Sequence, residues 1–218
     1  PVYQSLLEGG RRLLIYSGDV DGVVPTLATR RWVARLGLPL TTGIVEGHRF
    51  VLEVAENQLA IRDLHQARTR PVSIRLLKPR APGRGRDLLA RATGRDSKTI
   101  FDATAGLGRD AAHLAWLGRE VTAVERSPVL AELLRDAVGS LGLGSGQGSI
   151  TVHCGDSQLL LKEFPRADVV YLDPMFPGRG THHAASRKEL ELLRGLVGCD
   201  PDAKVLAELA WTCAGRRM

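Results

Sequence analysis

The feature of the sequence that most restricts its fold is an alternation of strand-like and helix-like segments from residue 98 onward. Short apolar runs predict strands, and the amphipathic stretches between them predict helices. The predicted strands are residues 100–101, 120–124, 150–153 and 169–172, and the predicted helices are residues 111–117, 128–138, 189–197 and 204–213. Strands that alternate with helices form a mostly parallel, doubly wound sheet. The sequence therefore predicts an α/β fold.

Three regions are predicted along the 218 residues: an N-terminal extension, a small N-terminal α+β subdomain and the core, at residues 1–43, 44–97 and 98–218. Before the core, strand-like runs are predicted at residues 13–16, 50–54 and 72–77, and a helix near residues 26–36. The basic stretch KPRAPGRGRD separates the last of these runs from the core and predicts a loop.

Charge and cysteine content limit the classes of function. The net charge of +6 and the pI near 9.7 favour an acidic partner such as nucleic acid. No apolar run of about 18 residues and no secretory signal pattern occur, so we expect neither a membrane span nor a signal peptide. The cysteines Cys154, Cys199 and Cys213 are scattered and form no CxxC pair, which predicts neither a zinc site nor a disulfide framework and favours a reducing, cytoplasmic location.

The stretch FDATAGLGRD, residues 101–110, follows the first core strand and opens a helix. Gly106 and Gly108 let the backbone approach a ligand closely, and the helix N-terminus offers free N–H groups. The stretch lacks the GxGxxG pattern of dinucleotide-binding turns. Asp102 precedes the glycines and would repel a pyrophosphate, but it suits a cationic group such as an amine near a sulfonium.

Acidic residues follow four successive core strands: Asp102, Glu125, Asp156 and Asp173. A single acid at such a place is commonly a helix N-cap or a turn residue. Four in succession favour a binding site, because ligands of open α/β sheets bind at the carboxyl ends of the strands. At that place, Glu125 can accept hydrogen bonds from both hydroxyls of a ribose. This order of acids matches the class I, Rossmann-like methyltransferases that use S-adenosyl-L-methionine (SAM).

The last of these strands ends in YLDPMFP, residues 171–177. Its DPMF resembles the Asp/Asn-Pro-Pro-aromatic motif of enzymes that methylate exocyclic amines of bases, with Met175 in place of the second proline. Asp173 and the Pro174 carbonyl can accept the N–H groups of such an amine, and Phe176 can stack on the base. The motif serves the N2 of guanine or the N6 of adenine. A rigid strand-end turn with a buried phenylalanine is the structural alternative.

The segments DATAGLGRDA, VERSPV and VVYLDPMFP together resemble the small-subunit ribosomal RNA guanine-N2 methyltransferases called RsmJ, and the resemblance extends over residues 30–218. It implies SAM-dependent methylation of the N2 of a guanine in 16S ribosomal RNA. By position, it implies that SAM contacts Arg109, Asp110, Glu125, Arg126, Gly155, Asp156 and Asp173. The family has Ser-Ser at Gly155-Asp156, and it continues into a fifth strand near CAGRRM. A truncated, non-catalytic remnant that binds SAM or RNA is therefore the alternative.

The N-terminal stretch LLIYSGDVDGVVP resembles a second family, the serine carboxypeptidases, in which Asp21 would be the aspartate of the catalytic triad. A hydrolase of that kind also requires a serine in a nucleophile elbow and a histidine. The chain contains no GxSxG motif, so residues 1–38 are interpreted as a fused fragment without peptidase activity.

Overall fold

Two four-stranded sheets lie in two compact units of the chain. A computed structural model describes residues 13–17, 40–41, 49–55, 58–65, 71–78, 87–174 and 200–215. The first unit contains the described residues up to Ile74, and the second contains the remaining ones. The helices predicted near residues 26–36 and at 189–197 lie outside the described residues.

The sheet of the first unit has the strand order β2-β1-β3-β4. Its strands are β1 (Leu13–Ser17), β2 (Leu40–Thr41), β3 (Phe50–Ala55) and β4 (Gln58–Asp63). Strand β1 is parallel to β2 and β3, and β3 is antiparallel to β4. One sheet thus contains strands from both the predicted extension and the predicted subdomain, and the boundary between residues 43 and 44 stays a prediction.

Ion pairs join β4 to β3 and to Arg49, the residue that precedes β3. Arg62 pairs with Glu53 at 2.8 Å and Arg49 pairs with Asp63 at 3.1 Å. Glu53 and Asp63 are both buried, so each carboxylate needs such a partner. The predicted strand at residues 72–77 is wrong: within residues 71–78 only Val72 bridges, to Ile61. Alternating apolar residues are not sufficient for a strand where no neighbouring backbone continues the ladder.

The second unit contains a parallel sheet with the strand order β7-β6-β5-β8. Its elements in chain order are α1 (Leu88–Thr93), β5 (Thr99–Asp102), α2 (Arg109–Trp116), β6 (Glu120–Glu125), α3 (Pro128–Gly139), β7 (Ser149–Cys154), α4 (Ser157–Glu163), β8 (Val169–Tyr171) and α5 (Ala203–Cys213). The parallel sheet confirms the α/β prediction. The four core strands and three of the predicted helices are confirmed with slightly different ends, whereas α1 and α4 were not predicted.

Local signals explain where the longer helices begin. Helix α3 starts at Pro128, and the Ser127 side chain accepts the Leu130 N–H in the manner of an N-cap. Its buried face includes Leu130 and Leu134, which are four residues apart and therefore lie on the same side of the helix. Helix α5 places Leu206 and Ala210 in the core at the same spacing.

The strand order determines where a ligand can bind. Strand β5 lies between β6 and β8, and the chain reverses its direction of travel across the sheet at this point. In open α/β sheets, a crevice for ligands forms at this position, at the carboxyl ends of the strands. Phe101, Val124 and Val170, one from each of these three strands, pack together in one buried hydrophobic cluster.

No helix among the described residues is long and apolar enough to cross a membrane. Within the same ranges, no cluster of three or more His, Cys, Asp or Glu side chains is arranged to hold a metal ion.

Candidate active site

A tight glycine turn connects β5 to α2. The Ala105 N–H donates to the Val124 carbonyl at 3.0 Å, which holds the turn against β6. Gly106 and Gly108 have φ values of 52° and 68°, in the left-handed region that favours glycine. A Cβ atom at Gly108 would lie 2.2 Å from Leu134 Cδ1, so a side chain there would displace the Leu134 side chain. The turn therefore requires glycine for both conformation and space.

Asp102 ends β5 and is only 1% exposed. Its Oδ1 accepts the Thr104 N–H at 3.2 Å. Burial, opposed by the hydrogen bond from Thr104 and reinforced by the nearby carboxylates of Asp110, Glu125 and Asp173, raises the pKa of Asp102 to about 7. A cation that approached this group would therefore find a carboxyl ready to ionise.

Glu125 ends β6 and is also buried. Its Oε2 accepts the Gly106 N–H at 3.0 Å, and its Oε1 accepts the Ser127 N–H at 2.7 Å. Burial raises the pKa of Glu125 to about 7, opposed by these two hydrogen bonds. The side chain thus joins the glycine turn to the end of β6. Each carboxylate oxygen keeps a second lone pair, so the predicted bonds to ribose hydroxyls remain chemically possible.

The carboxyl end of β8 is bound to the glycine turn and to α2. The Tyr171 hydroxyl donates to Asp110 Oδ2 at 2.6 Å, and Asp173 N–H donates to Thr104 Oγ1 at 2.7 Å. Partial desolvation, together with the charge of Asp110, raises the pKa of the exposed Asp173 carboxyl. Thr104 and Tyr171 were not singled out from the sequence. Their positions beside Asp102 and Asp173 are the signal that could have found them.

Two further predicted cofactor residues, Arg126 and Asp156, also have protein partners in this structure. Arg126 pairs with Asp200 at 3.0 Å and with Asp202 at 2.9 Å. Asp156 is the N-cap of α4 and accepts the Gln158 N–H at 2.8 Å, which is the helix-capping role that a single strand-end acid commonly has. Contacts of these two residues with SAM stay predictions.

The remaining predicted residues that the structure describes follow the carboxyl ends of the strands. Gly155 donates its N–H to the Glu125 carbonyl at 3.0 Å, so it joins the ends of β6 and β7. Arg109 is exposed in the first turn of α2, and Pro174 follows Asp173 with its side chain half-buried. Phe176 lies outside the described residues.

The site fits SAM in its chemistry. Among the described residues, a Cβ built at Gly106 would meet only the Thr104 carbonyl oxygen, at 3.9 Å. Helix α2 begins directly after this turn, and Asp102 and Glu125 supply buried carboxyls that suit a ligand with cationic and hydroxyl groups. The parallel sheet, the glycine turn after its first strand, the acid after its second and the Asp-Pro after its fourth define the class I SAM-dependent methyltransferases.

Comparison with known proteins defines the family. A family model for SAM-dependent methyltransferases matches residues 31–218. The "Ribosomal RNA small subunit methyltransferase J" of Pseudomonas aeruginosa is 36% identical over 206 residues, which cover 88% of this chain and 78% of the relative. The protein of the same name from Nitrosococcus oceani is 36% identical over 216 residues, covering 91% of this chain and 84% of the relative. The chain therefore belongs to the family of ribosomal RNA small subunit methyltransferase J, and its cofactor is SAM.

Structural comparison agrees with this assignment. The crystal structure of a SAM-dependent methyltransferase from Neisseria gonorrhoeae superposes with a TM-score of 0.66 at 29% identity, covering 92% of this chain and 81% of that one. A second family model, serine carboxypeptidase, matches residues 1–58 and includes the segment that resembled this family in sequence. It covers about a quarter of the chain and carries no assignment of activity.

Proposed function

We propose that the chain transfers the methyl group of SAM to the exocyclic N2 of a guanine in small-subunit ribosomal RNA. The observation that carries the proposal is the position of Asp173 and Pro174: they follow β8 at the switch point of the sheet, and Thr104 holds Asp173 beside the glycine turn. The relatives' names supply the substrate class. Such a substrate also agrees with the positive net charge and with the cytoplasmic location predicted above.

The residue types explain how a base amine could be methylated. The lone pair of a nucleobase amine is delocalised into the ring, so the amine is a weak nucleophile. The Asp173 carboxylate and the Pro174 carbonyl accept its two N–H groups, orient the lone pair and stabilise the positive charge that develops. SAM supplies an electrophilic methyl group on a sulfonium. Phe176 stacks on the base, which is held in a single-stranded or flipped conformation.

Other residues hold the cofactor in this proposal. Gly106 and Gly108 bring the backbone close to it, while Asp102 and Glu125 supply buried carboxyls for its cationic and hydroxyl groups. The remaining residues assigned to the cofactor are Arg109, Asp110, Arg126, Gly155, Asp156 and Asp173. Before SAM binds, Arg126 pairs with Asp202, and Asp156 accepts the Gln158 N–H.

The decisive experiment is methyl transfer followed by nucleoside analysis. The chain is incubated with methyl-labelled SAM and unmodified small-subunit rRNA, both free and assembled into subunits. We expect labelled N2-methylguanosine after digestion. Labelled N6-methyladenosine would show that the target base is adenine and not guanine, since the Asp173 carboxylate and the Pro174 carbonyl can accept N–H groups from either amine. SAM binding without transfer to either substrate would support the non-catalytic remnant.

Calorimetry on Glu125→Gln tests the cofactor site separately. Hydrogen bonds to charged groups contribute about 1.5–3 kcal/mol, so we expect roughly 10- to 100-fold weaker SAM binding. Glu120→Gln is the matched control, because Glu120 is the exposed acid at the opposite end of the same strand. Equal binding by both variants and by the unchanged chain would contradict the role of Glu125.

A further inference from the structure

The N–H group of Asp173 is held by a side chain and not by the sheet. The β5–β8 ladder ends where the Ala103 N–H donates to the Tyr171 carbonyl at 3.0 Å. Two residues later, Asp173 N–H donates to Thr104 Oγ1 at 2.7 Å. Pro174 follows and has no N–H to donate. Thr104 therefore extends the pairing of β5 and β8 beyond the last backbone bond.

Thr104 is in turn held by a buried acid. Its N–H donates to Asp102 Oδ1 at 3.2 Å, and Asp102 is almost completely buried. Because Asp102 belongs to β5, its side chain restricts where residue 104 can lie. Two successive hydrogen bonds thus connect the core of the sheet to the backbone of Asp173.

We propose that Thr104 is a positioning residue for methyl transfer: its hydroxyl oxygen holds the Asp173 N–H and thereby places the Asp173 carboxylate and the Pro174 carbonyl where the substrate amine binds. This inference rests on the proposed function. A misplacement of about 1 Å at a reacting centre can lower a rate by roughly 100-fold. Loss of the bond should therefore affect kcat more than the binding of either substrate.

The chain contains a matched control for this bond. At the other end of the same two strands, Asp168 N–H donates to Thr99 Oγ1 at 2.9 Å. Both bonds join a β5-side threonine to the backbone N–H of an aspartate that flanks β8. They differ in location, because only Asp173 lies at the carboxyl end of the sheet.

The experiment compares the full chain with Thr104→Val, Thr104→Ser and Thr99→Val. Valine keeps the shape of threonine but cannot accept the bond, whereas serine can. For Thr104→Val we expect kcat to fall about 10- to 100-fold, with KM for rRNA and Kd for SAM within about twofold. Thr104→Ser should recover most of the rate. Thr99→Val should lower the melting temperature and leave kcat within about twofold.

Amide hydrogen exchange at Asp173 supplies a readout that does not depend on activity. We expect faster exchange in Thr104→Val than in Thr104→Ser or Thr99→Val. An unchanged kcat in Thr104→Val, an equal loss in Thr104→Ser, or an equal loss in Thr99→Val would overturn the inference. If the chain without substitutions transfers no methyl group, the proposed function fails. The anchoring role of Thr104 is then tested by exchange alone, and it is overturned if the Asp173 amide exchanges at the same rate in Thr104→Val as in the chain without substitutions.

Discussion

The two ends of the parallel sheet use the same kinds of side chain for different purposes. At the amino end, Asp168 Oδ2 accepts N–H groups from Lys98 and Thr99 at 2.7 and 3.2 Å, and Arg119 donates to the Gly94 and Arg95 carbonyls. The charged side chains at this end form hydrogen bonds with backbone groups. At the carboxyl end, buried acids lie near one another and their pKa values are raised.

The difference is electrostatic. Asp102 and Glu125 have pKa values raised to about 7 by burial, and Asp110 and Asp173 add negative charge around Asp102. Clusters of raised carboxyl pKa values in a crevice are typical of functional sites, because a ligand supplies the missing counter-charge. The comparison teaches that the amino end uses its charged side chains to hold backbone groups, whereas the carboxyl end contains buried carboxyls with raised pKa values, which a cationic ligand would stabilise in their ionised form.

The largest expected effect tests this contrast at the two aspartates that flank β8. Asp173→Ala should lower kcat for methyl transfer by roughly 100- to 1000-fold, the range seen when one preorganised transition-state contact is removed. Asp168→Ala should instead lower the free energy of unfolding by about 1–3 kcal/mol, because it leaves backbone N–H groups without an acceptor. Single-turnover transfer and urea unfolding measure the two effects. Similar losses of kcat in both variants would remove the distinction between the ends.

A second expected effect concerns the glycine turn. Gly108→Ala should lower the free energy of unfolding by about 1–3 kcal/mol, because a non-glycine residue is strained in the left-handed region. The overlap of its Cβ with Leu134 should lower it further. Gly142→Ala is the control, since Gly142 has a φ of 60° but no atom within 4 Å of a built Cβ.

Thermal unfolding with and without SAM measures both glycine variants. We expect Gly108→Ala to lose the stabilisation that SAM gives to the unchanged chain, and Gly142→Ala to keep it. Retention of that stabilisation in Gly108→Ala would show that the turn tolerates a Cβ against Leu134 without losing its binding of the cofactor.

A further expected effect is a dependence of stability on pH. Asp102 and Glu125 have folded-state pKa values raised to about 7, above unfolded values near 4. Between about pH 4 and pH 7, the folded chain therefore binds more protons than the unfolded chain. The free energy of unfolding is then highest below about pH 4 and decreases as the pH rises toward 7. Urea unfolding at pH 5 and pH 7 should show this decline, and Asp102→Asn should reduce it. The same slope in Asp102→Asn would mean that other groups cause it.

Binding of SAM should have the opposite pH dependence. A cationic ligand favours the ionised carboxyls, so affinity should increase between pH 6 and pH 8 and binding should release protons. Calorimetry in buffers of different ionisation enthalpy detects that release. Binding without proton release would indicate that Asp102 and Glu125 are already ionised before SAM binds.

The parts predicted well from the sequence depend on contacts between near neighbours. The core strands and the helices α2, α3 and α5 were predicted from periodicity and from residues such as Pro128 at a helix start. Helices α1 and α4 have six and seven residues. Helices that short owe their stability to tertiary packing, which explains why local pattern did not reveal them. The false strand at residues 72–77 has the same cause, since its missing partner is not visible in its own sequence.

By itself, the sequence determined the α/β order of elements, the family, and the acids at the strand ends, because these depend on residue type and spacing along the chain. Only the tertiary structure decided the partners of those acids. Thr104 meets Asp173 across 69 positions, Tyr171 meets Asp110 across 61, and Arg126 meets Asp202 across 76. The tertiary structure selects these pairs because it brings distant segments together and removes water from them. An unpaired polar group costs free energy when it is buried, so each buried group must find a partner there.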